Sequence, residues 1–224
     1  MKSIVLFVEG EGDVDAVPIL VKRLLSEQNA WDAVRLDPDA YRVGGIQDLA
    51  KAEFVEWKRV LAIAGKRRNL GGILLLLDGD AKKLMGEDFC AAKIAKALAN
   101  EAKDVGGGAI FSVAVVFARQ EFESWLIAGY ESLKGKRLSD GGKIDEHATT
   151  PDGDLETSPR DAKGWLRKVV EGGYKPTDHQ AELTELVDLG AIRARQPRSF
   201  KRLESALSEL IAAIRDDAHV VTPS

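Results

Sequence analysis

Three short acidic clusters carry the chemistry this sequence can offer: Glu9 with Glu11 and Asp13, Asp78 with Asp80, and Glu121 with Glu123. Each follows an apolar run, residues 4–8, 73–77 and 110–117. Carboxylates aimed at one point repel unless a cation or a shared proton separates them. Mg²⁺ suits such a place, because it takes a few carboxylates and completes its octahedron with water and phosphate oxygens. Two such ions can flank a phosphodiester, polarise it and activate water. The competing reading is that each acid caps a following helix, where the macrodipole favours negative charge. For any one cluster the two readings weigh about equally. Three clusters after three strands favour the site.

The elements that must position these acids follow from the apolar pattern. A short aliphatic run bounded by turn formers, such as Ile-Leu-Leu-Leu-Leu before Asp78-Gly79-Asp80, reads as a strand buried on both faces. Strands are expected over 3–8, 73–77 and 110–117, with a weaker one over 32–36. Helices are expected over 14–28, 46–64 and 88–103, with a short one within 119–128. Asp13 would be the N-cap of the first helix, and Pro18 would fall near its first turn, where proline is tolerated. This alternation predicts an α/β fold, a Rossmann-like sheet of about four mostly parallel strands flanked by helices. Parallel strands share one carboxyl edge, so the three clusters should meet there. Asp78 and Asp80 would face one way if strand geometry persists, with Gly79 easing the turn.

After residue 129 the character changes. Residues 135–159 are polar and rich in Gly, Asp, Thr and Ser, a long flexible loop. Helical segments are expected over 160–171, 180–187 and 199–215, and 216–224 reads as a frayed tail. The organisation expected is an α/β domain over 1–128 and a helical region over 129–224 packed on it. Lys163, Arg167, Lys168, Lys175, Arg193, Arg195, Arg198, Lys201 and Arg202 could turn a basic face to phosphates. Ordinary solvated helix surface explains most of them equally well.

Composition and missing motifs narrow the classes. A net charge of −4 argues against a protein that coats nucleic acid non-specifically, yet allows a local basic surface. Cys90 is the only cysteine, so no internal disulfide can form, and the simplest home is a reducing cytoplasm. The longest apolar segment, 109–118, is about half of what a membrane helix needs. Gly10-Glu11-Gly12 lacks the third glycine of a dinucleotide fingerprint, since Asp15 stands there, and its acids would repel a pyrophosphate. No phosphate-binding Gly-Lys-Ser/Thr loop and no Gly-x-Ser-x-Gly elbow occur. His147, His179 and His219 have no zinc-like spacing and read as surface residues, and Cys90 reads as a small core residue on a helix. Trp125 and Trp165 read as packing residues.

Val8-Glu9-Gly10-x-x-Asp13 after a first strand, and a later strand ending in Asp78-Gly79-Asp80, together resemble a Toprim domain. Toprim is the metal-binding fold of topoisomerases, primases and overcoming-lysogenization-defect (OLD) nucleases. Glu121-Phe122-Glu123-Ser124-Trp125-Leu126 and the stretch from Gly173-Tyr174-Lys175 to Ile192-Arg193 resemble, more narrowly, an uncharacterised bacterial Toprim-like, OLD-nuclease-related family. The resemblance implies that Glu9 is the Toprim glutamate, with a general acid/base or metal role. It implies that Asp78 and Asp80 are the Asp-x-Asp pair that holds Mg²⁺ (or Mn²⁺), and that Asp13 is the extra acid for a second ion, a part the reading here also allows Glu123. These residues carry no ATPase module, topoisomerase tyrosine domain or primase zinc module, so a partner ATPase becomes conceivable. The expectation is a Mg²⁺-dependent, nuclease-like hydrolase acting on DNA or RNA. The alternatives are a non-catalytic nucleic-acid- or partner-binding accessory module and a phosphohydrolase of small phosphates.

Overall fold

The computed structural model describes residues 1–84 and 86–224. Five strands form one sheet: β1 (Lys2–Val8), β2 (Val34–Arg42), β3 (Leu70–Asp78), β6 (Ser112–Ala118) and β7 (Val221–Thr222). Their order is β2-β1-β3-β6-β7, with every neighbouring pair parallel. A small antiparallel pair, β4 (Lys83–Leu84) and β5 (Glu87–Asp88), follows β3.

The continuous aliphatic runs are explained by the two faces they serve. Ile4, Leu6, Val8, Leu74, Leu76, Ala114 and Val116 join one core cluster, while Val5, Phe7, Ile73, Leu75, Leu77, Val113, Val115 and Phe117 join another. Alternate residues of each central strand thus point to opposite cores, as a sheet covered on both sides requires. The second cluster is covered by α3 (Lys51–Ala64) and α4 (Ala91–Ala102). The buried Trp57 ties these two helices together, its indole N–H donating to the Leu98 carbonyl at 2.8 Å. The first cluster is covered by α1 (Glu11–Glu27) and by the helical C-terminal part: α5 (Glu123–Ala128), α6 (Ala162–Val169), α7 (Ala181–Leu186), α8 (Leu189–Ala194) and α9 (Arg198–Arg215). Trp125 on α5 is buried and donates to Ser199 Oγ on α9 at 2.8 Å. Residues 135–159 form no helix, yet send Leu138, Ile144 and Leu155 into the first core. The buried Glu156 accepts the Ser199 amide at 2.6 Å and so caps α9.

Several expectations change. The sheet has five strands rather than about four, because the supposed tail pairs Val221 and Thr222 with Val113 and Ala114 of β6. β2 runs through Pro38 instead of stopping at residue 36. It is an edge strand, and its register against β1 slips between Leu36 and Ala40, where a proline without an amide can be accommodated. The helix expected over 46–64 is two, α2 (Ile46–Leu49) and α3, with left-handed backbone at Ala52, Glu53 and Phe54. Gly10, not Asp13, is the N-cap of α1, and Asp13 sits three residues in, where its carboxylate accepts the Gly10 amide at 2.8 Å. Pro18 therefore lies inside α1, past the first turn, where it removes one backbone bond. Cys90 is exposed at the start of α4 rather than in the core. His179 is buried, held by the Lys175 amide at Nδ1 and by Asp140 at Nε2. No helix among the described residues is long and apolar enough to cross a membrane.

Candidate metal centre

The strand order places a reversal between β1 and β3. From β1 the chain winds outward to β2 on one side, then returns past β1 to begin β3 on the other. Ligands of open α/β sheets bind in the crevice at the carboxyl ends of such a pair. Glu9 follows β1 there and Asp78 ends β3, and the Asp78 amide donates to Glu9 Oε2 at 3.0 Å. One more strand over, the segment after β6 delivers Glu121 and Glu123 to the same edge.

Asp78, Glu121 and Glu123 each bring a carboxylate oxygen within 4.8 Å of the other two. Each is held by its other oxygen. Asp78 Oδ1 accepts the Phe122 amide at 2.9 Å. Glu121 Oε2 accepts the amides of Ala162 and Lys163, at 2.9 and 3.3 Å, at the start of α6. Glu123 Oε1 accepts the Tyr174 hydroxyl at 2.9 Å. The remaining oxygens face one ammonium, Lys163 Nζ, at 3.2 Å from Asp78 Oδ2, 3.0 Å from Glu121 Oε1 and 3.7 Å from Glu123 Oε2. The last distance lies within ion-pair reach but beyond a hydrogen bond, so Glu123 Oε2 is buried with no hydrogen-bond partner.

Burial and crowding set the protonation. Burial pushes the Glu123 carboxyl up to about 7, against the pull of Lys163. Asp78 is raised well above the carboxylate range, first by burial, then by the charges of Asp13, Glu123 and Glu9, with Lys163 opposing. Glu9 is raised by burial and by Asp80 and Asp13, with the Asp78 amide opposing. The three acids hold Lys163 above its usual value despite its partial burial. Burial, reinforced by Glu123, also raises Tyr174, which keeps the phenol protonated and donating.

The other acids stand apart from this trio. Asp13 is close enough for its charge to act on Asp78, yet both its oxygens are engaged, by the Gly10 amide and by Gln180 Nε2 at 2.6 Å. That second bond needs Gly12, because a side chain there would strike the Pro176 backbone at 2.9 Å. Glu9, Asp13, Asp78 and Lys163 line a cleft of about 430 Å³. Glu11 lines it as well, but is exposed. Asp80 does not join the trio. β3 ends at Asp78, and the Gly79 amide turns onto the carbonyls of Ala118 and Gln120 at 2.8 and 3.0 Å. Strand alternation stops there, and Asp80 lands exposed in a neighbouring cleft.

Tyr174 was not anticipated as a site residue, Lys163 was expected only as one cation of a basic face, and Glu121 was expected at the site as a member of the third acidic cluster but not as a metal ligand. Their contacts to the cluster reach across 85 residues for Lys163–Asp78 and 51 for Tyr174–Glu123, and no local spacing carries such a signal. Glu121 reaches the site through a turn rather than through strand alternation: its carbonyl accepts the Ser124 amide at 3.1 Å, and Phe122 has right-handed helical backbone.

A family described as a domain of unknown function (DUF4276) matches residues 8–208, a span containing every residue of the site. No curated protein and no solved structure matches the chain.

Proposed function

The chain belongs to the DUF4276 family, and we propose that it is a Mg²⁺-dependent phosphodiester-cleaving protein of Toprim type, acting on nucleic acid. The observation that carries this reading is the set of three carboxylates, each anchored by one oxygen and turned by the other toward a common point. Outer donors that fix the orientation of acidic ligands are what a preorganised cation site needs. The buried Glu123 Oε2 accepts no hydrogen bond and so is an oxygen a cation could take up, and an all-oxygen donor set fits Mg²⁺ or Mn²⁺. Glu9 after β1 and Asp78 at the end of β3 lie at one sheet edge, which supports giving them the parts of the Toprim glutamate and first aspartate.

Asp78, Glu121 and Glu123 would hold the ion in this scheme. Mg²⁺ bound there supplies Lewis-acid polarisation of a phosphoryl oxygen and lowers the pKa of bound water. Glu9, raised by burial, accepts the proton of the water that attacks phosphorus and returns it to the leaving oxygen as the P–O bond breaks. Lys163, released from the carboxylates, stays within reach to neutralise a phosphate oxygen. Asp13 joins a second ion only by giving up Gln180, and Asp80 serves from the adjoining cleft.

A second reading has its own support. Asp78 Oδ1 secures the turn into α5, Glu121 caps α6, and Lys163 already neutralises the group, so the cluster could be a structural staple in a non-catalytic nucleic-acid- or partner-binding module. Cleavage of labelled DNA and RNA oligonucleotides with Mg²⁺ or Mn²⁺ separates the two, with mononucleotides testing a small-phosphate activity. The cleaving reading expects Asp78→Asn and Glu9→Gln to lower the rate by at least about a hundredfold, in line with single electrostatic or acid–base groups, and Asp80→Asn to cost far less. Metal-independent cleavage, none at all, or full activity in the first two variants would overturn it.

A further inference from the structure

A cleft of the molecule lies outside the carboxylate cluster and has a different charge. Its volume is about 870 Å³, and its charged lining residues are Lys82, Arg119, Arg160 and Asp80. Three cations against one acid give a net +2 in a chain whose total is −4. All three basic side chains are exposed, and among the described residues none of them has a carboxylate within ion-pair distance. Unpaired cations gathered in a cleft raise the local concentration of anions. The 12-residue helix α4 opens into the same cleft with no side chain capping its first amides, which adds further donors. The half-buried Phe89 packs edge-on against Phe117 at 5.6 Å and lines the cleft.

The position of this cleft matters as much as its charge. Its walls are the chain segments that build the carboxylate site. Asp80 follows Asp78 and Gly79, Arg119 and Gln120 precede Glu121, and Arg160 stands three residues before Lys163. Gly79 makes this junction possible, because its amide bonds to the 118–120 backbone and a side chain there would meet the Ala118 carbonyl oxygen at 2.9 Å. A ligand held by Arg119 and Arg160 therefore lies on the chain segments that flank Asp78 and Glu121. A free phosphate or a single nucleotide would fill one cleft only. A chain of phosphates fits both.

We infer that the Lys82–Arg119–Arg160 cleft is a binding subsite for the phosphodiester backbone of a polynucleotide, which it feeds across the carboxylate cluster. Phe89 gives one base a face to stack on. The inference rests on the proposed function for its orientation, but binding can be measured without cleavage. The experiment is fluorescence anisotropy of labelled 20-nucleotide single-stranded DNA and RNA with the full chain in EDTA, over a range of salt concentrations. The variants are Lys82→Ala/Arg119→Ala/Arg160→Ala and, as a control, Lys22→Ala on the exposed side of α1. The expected result is at least about tenfold weaker binding by the triple variant, with a log–log salt slope shallower by roughly 2–3, and no change for Lys22→Ala. Equal affinity and slope in the triple variant, or no binding by the unaltered chain, would overturn the inference, as would competition by inorganic phosphate or a mononucleotide as effective as that by the oligonucleotide. The two readings fail separately. Binding that depends on these cations without metal-dependent cleavage sinks the catalytic proposal alone, and cleavage unaffected by their loss sinks the subsite alone.

Discussion

Replacing Lys163 with methionine keeps much of the side-chain volume and removes only the charge at the centre of the cluster. The ammonium stands 3.0, 3.2 and 3.7 Å from three carboxylate oxygens. At an effective dielectric of about 20 a contact of this length to an ionised carboxylate is worth roughly 5 kcal/mol before desolvation is subtracted. Breaking a buried pair by removing one partner costs about 3–5 kcal/mol overall, because the other charge is left uncompensated. The Lys163 side chain is 30% exposed, so the lower end, about 3 kcal/mol, is the appropriate figure. For a chain of this size that corresponds to a melting temperature about 6–12 °C lower. The assay is thermal unfolding followed by circular dichroism, in EDTA and in Mn²⁺. An ion present at about a hundred times its Kd contributes about 2.7 kcal/mol, so Mn²⁺ should restore most of the loss in Lys163→Met. The unaltered chain should gain less at the same concentration, because the ion must first displace the ammonium. Two results refute the reasoning: Lys163→Met melting with the wild type in EDTA, or Mn²⁺ raising both proteins equally or neither.

Further outcomes follow from the same geometry. Glu123 is raised from 4.5 to about 7, so the folded state holds a proton there that the unfolded chain releases. Its contribution is full below about pH 4.5 and is lost as pH rises through about 7, a fall of roughly 3 kcal/mol. Urea unfolding in EDTA should show this decline between pH 5 and 8, and Glu123→Gln should flatten it; an unchanged slope in that variant would discredit the assignment. Tyr174→Phe leaves a buried carboxylate with neither oxygen hydrogen-bonded and should cost about 1–3 kcal/mol by the same measurement. Gly79→Ala pushes a methyl group against a backbone carbonyl and should cost about 1–3 kcal/mol while disturbing Asp78 and Asp80 together. Stability equal to the wild type would mean that the turn relaxes freely.

What was legible in the sequence follows from how far each signal had to travel. β1, β3 and β6 stand out because strands buried on both faces must be aliphatic throughout. Glu9 and Asp78 stand out because they end such strands. β7 is two residues long and leans on a partner more than a hundred positions earlier, so nothing near it announces a strand. β2 was misplaced because an edge strand tolerates Pro38 and the exposed Asp39, which would be excluded further in. The break between α2 and α3 has neither glycine nor proline to mark it. Asp80 was assigned by strand alternation, which holds only while the strand lasts.

The span of the site has a consequence for how the protein acquires it. Glu9, Asp78, Glu123, Lys163 and Tyr174 are spread over most of the chain, and Gln180 reaches back 167 positions to Asp13. Contacts this distant close large loops, which costs entropy before any contact compensates for it and slows folding. The strand ends can assemble early, while the lysine and tyrosine that complete the cluster arrive only when the later helices dock. In a refolding experiment, recovery of Mn²⁺ binding should therefore lag behind recovery of secondary structure and report the last step of assembly.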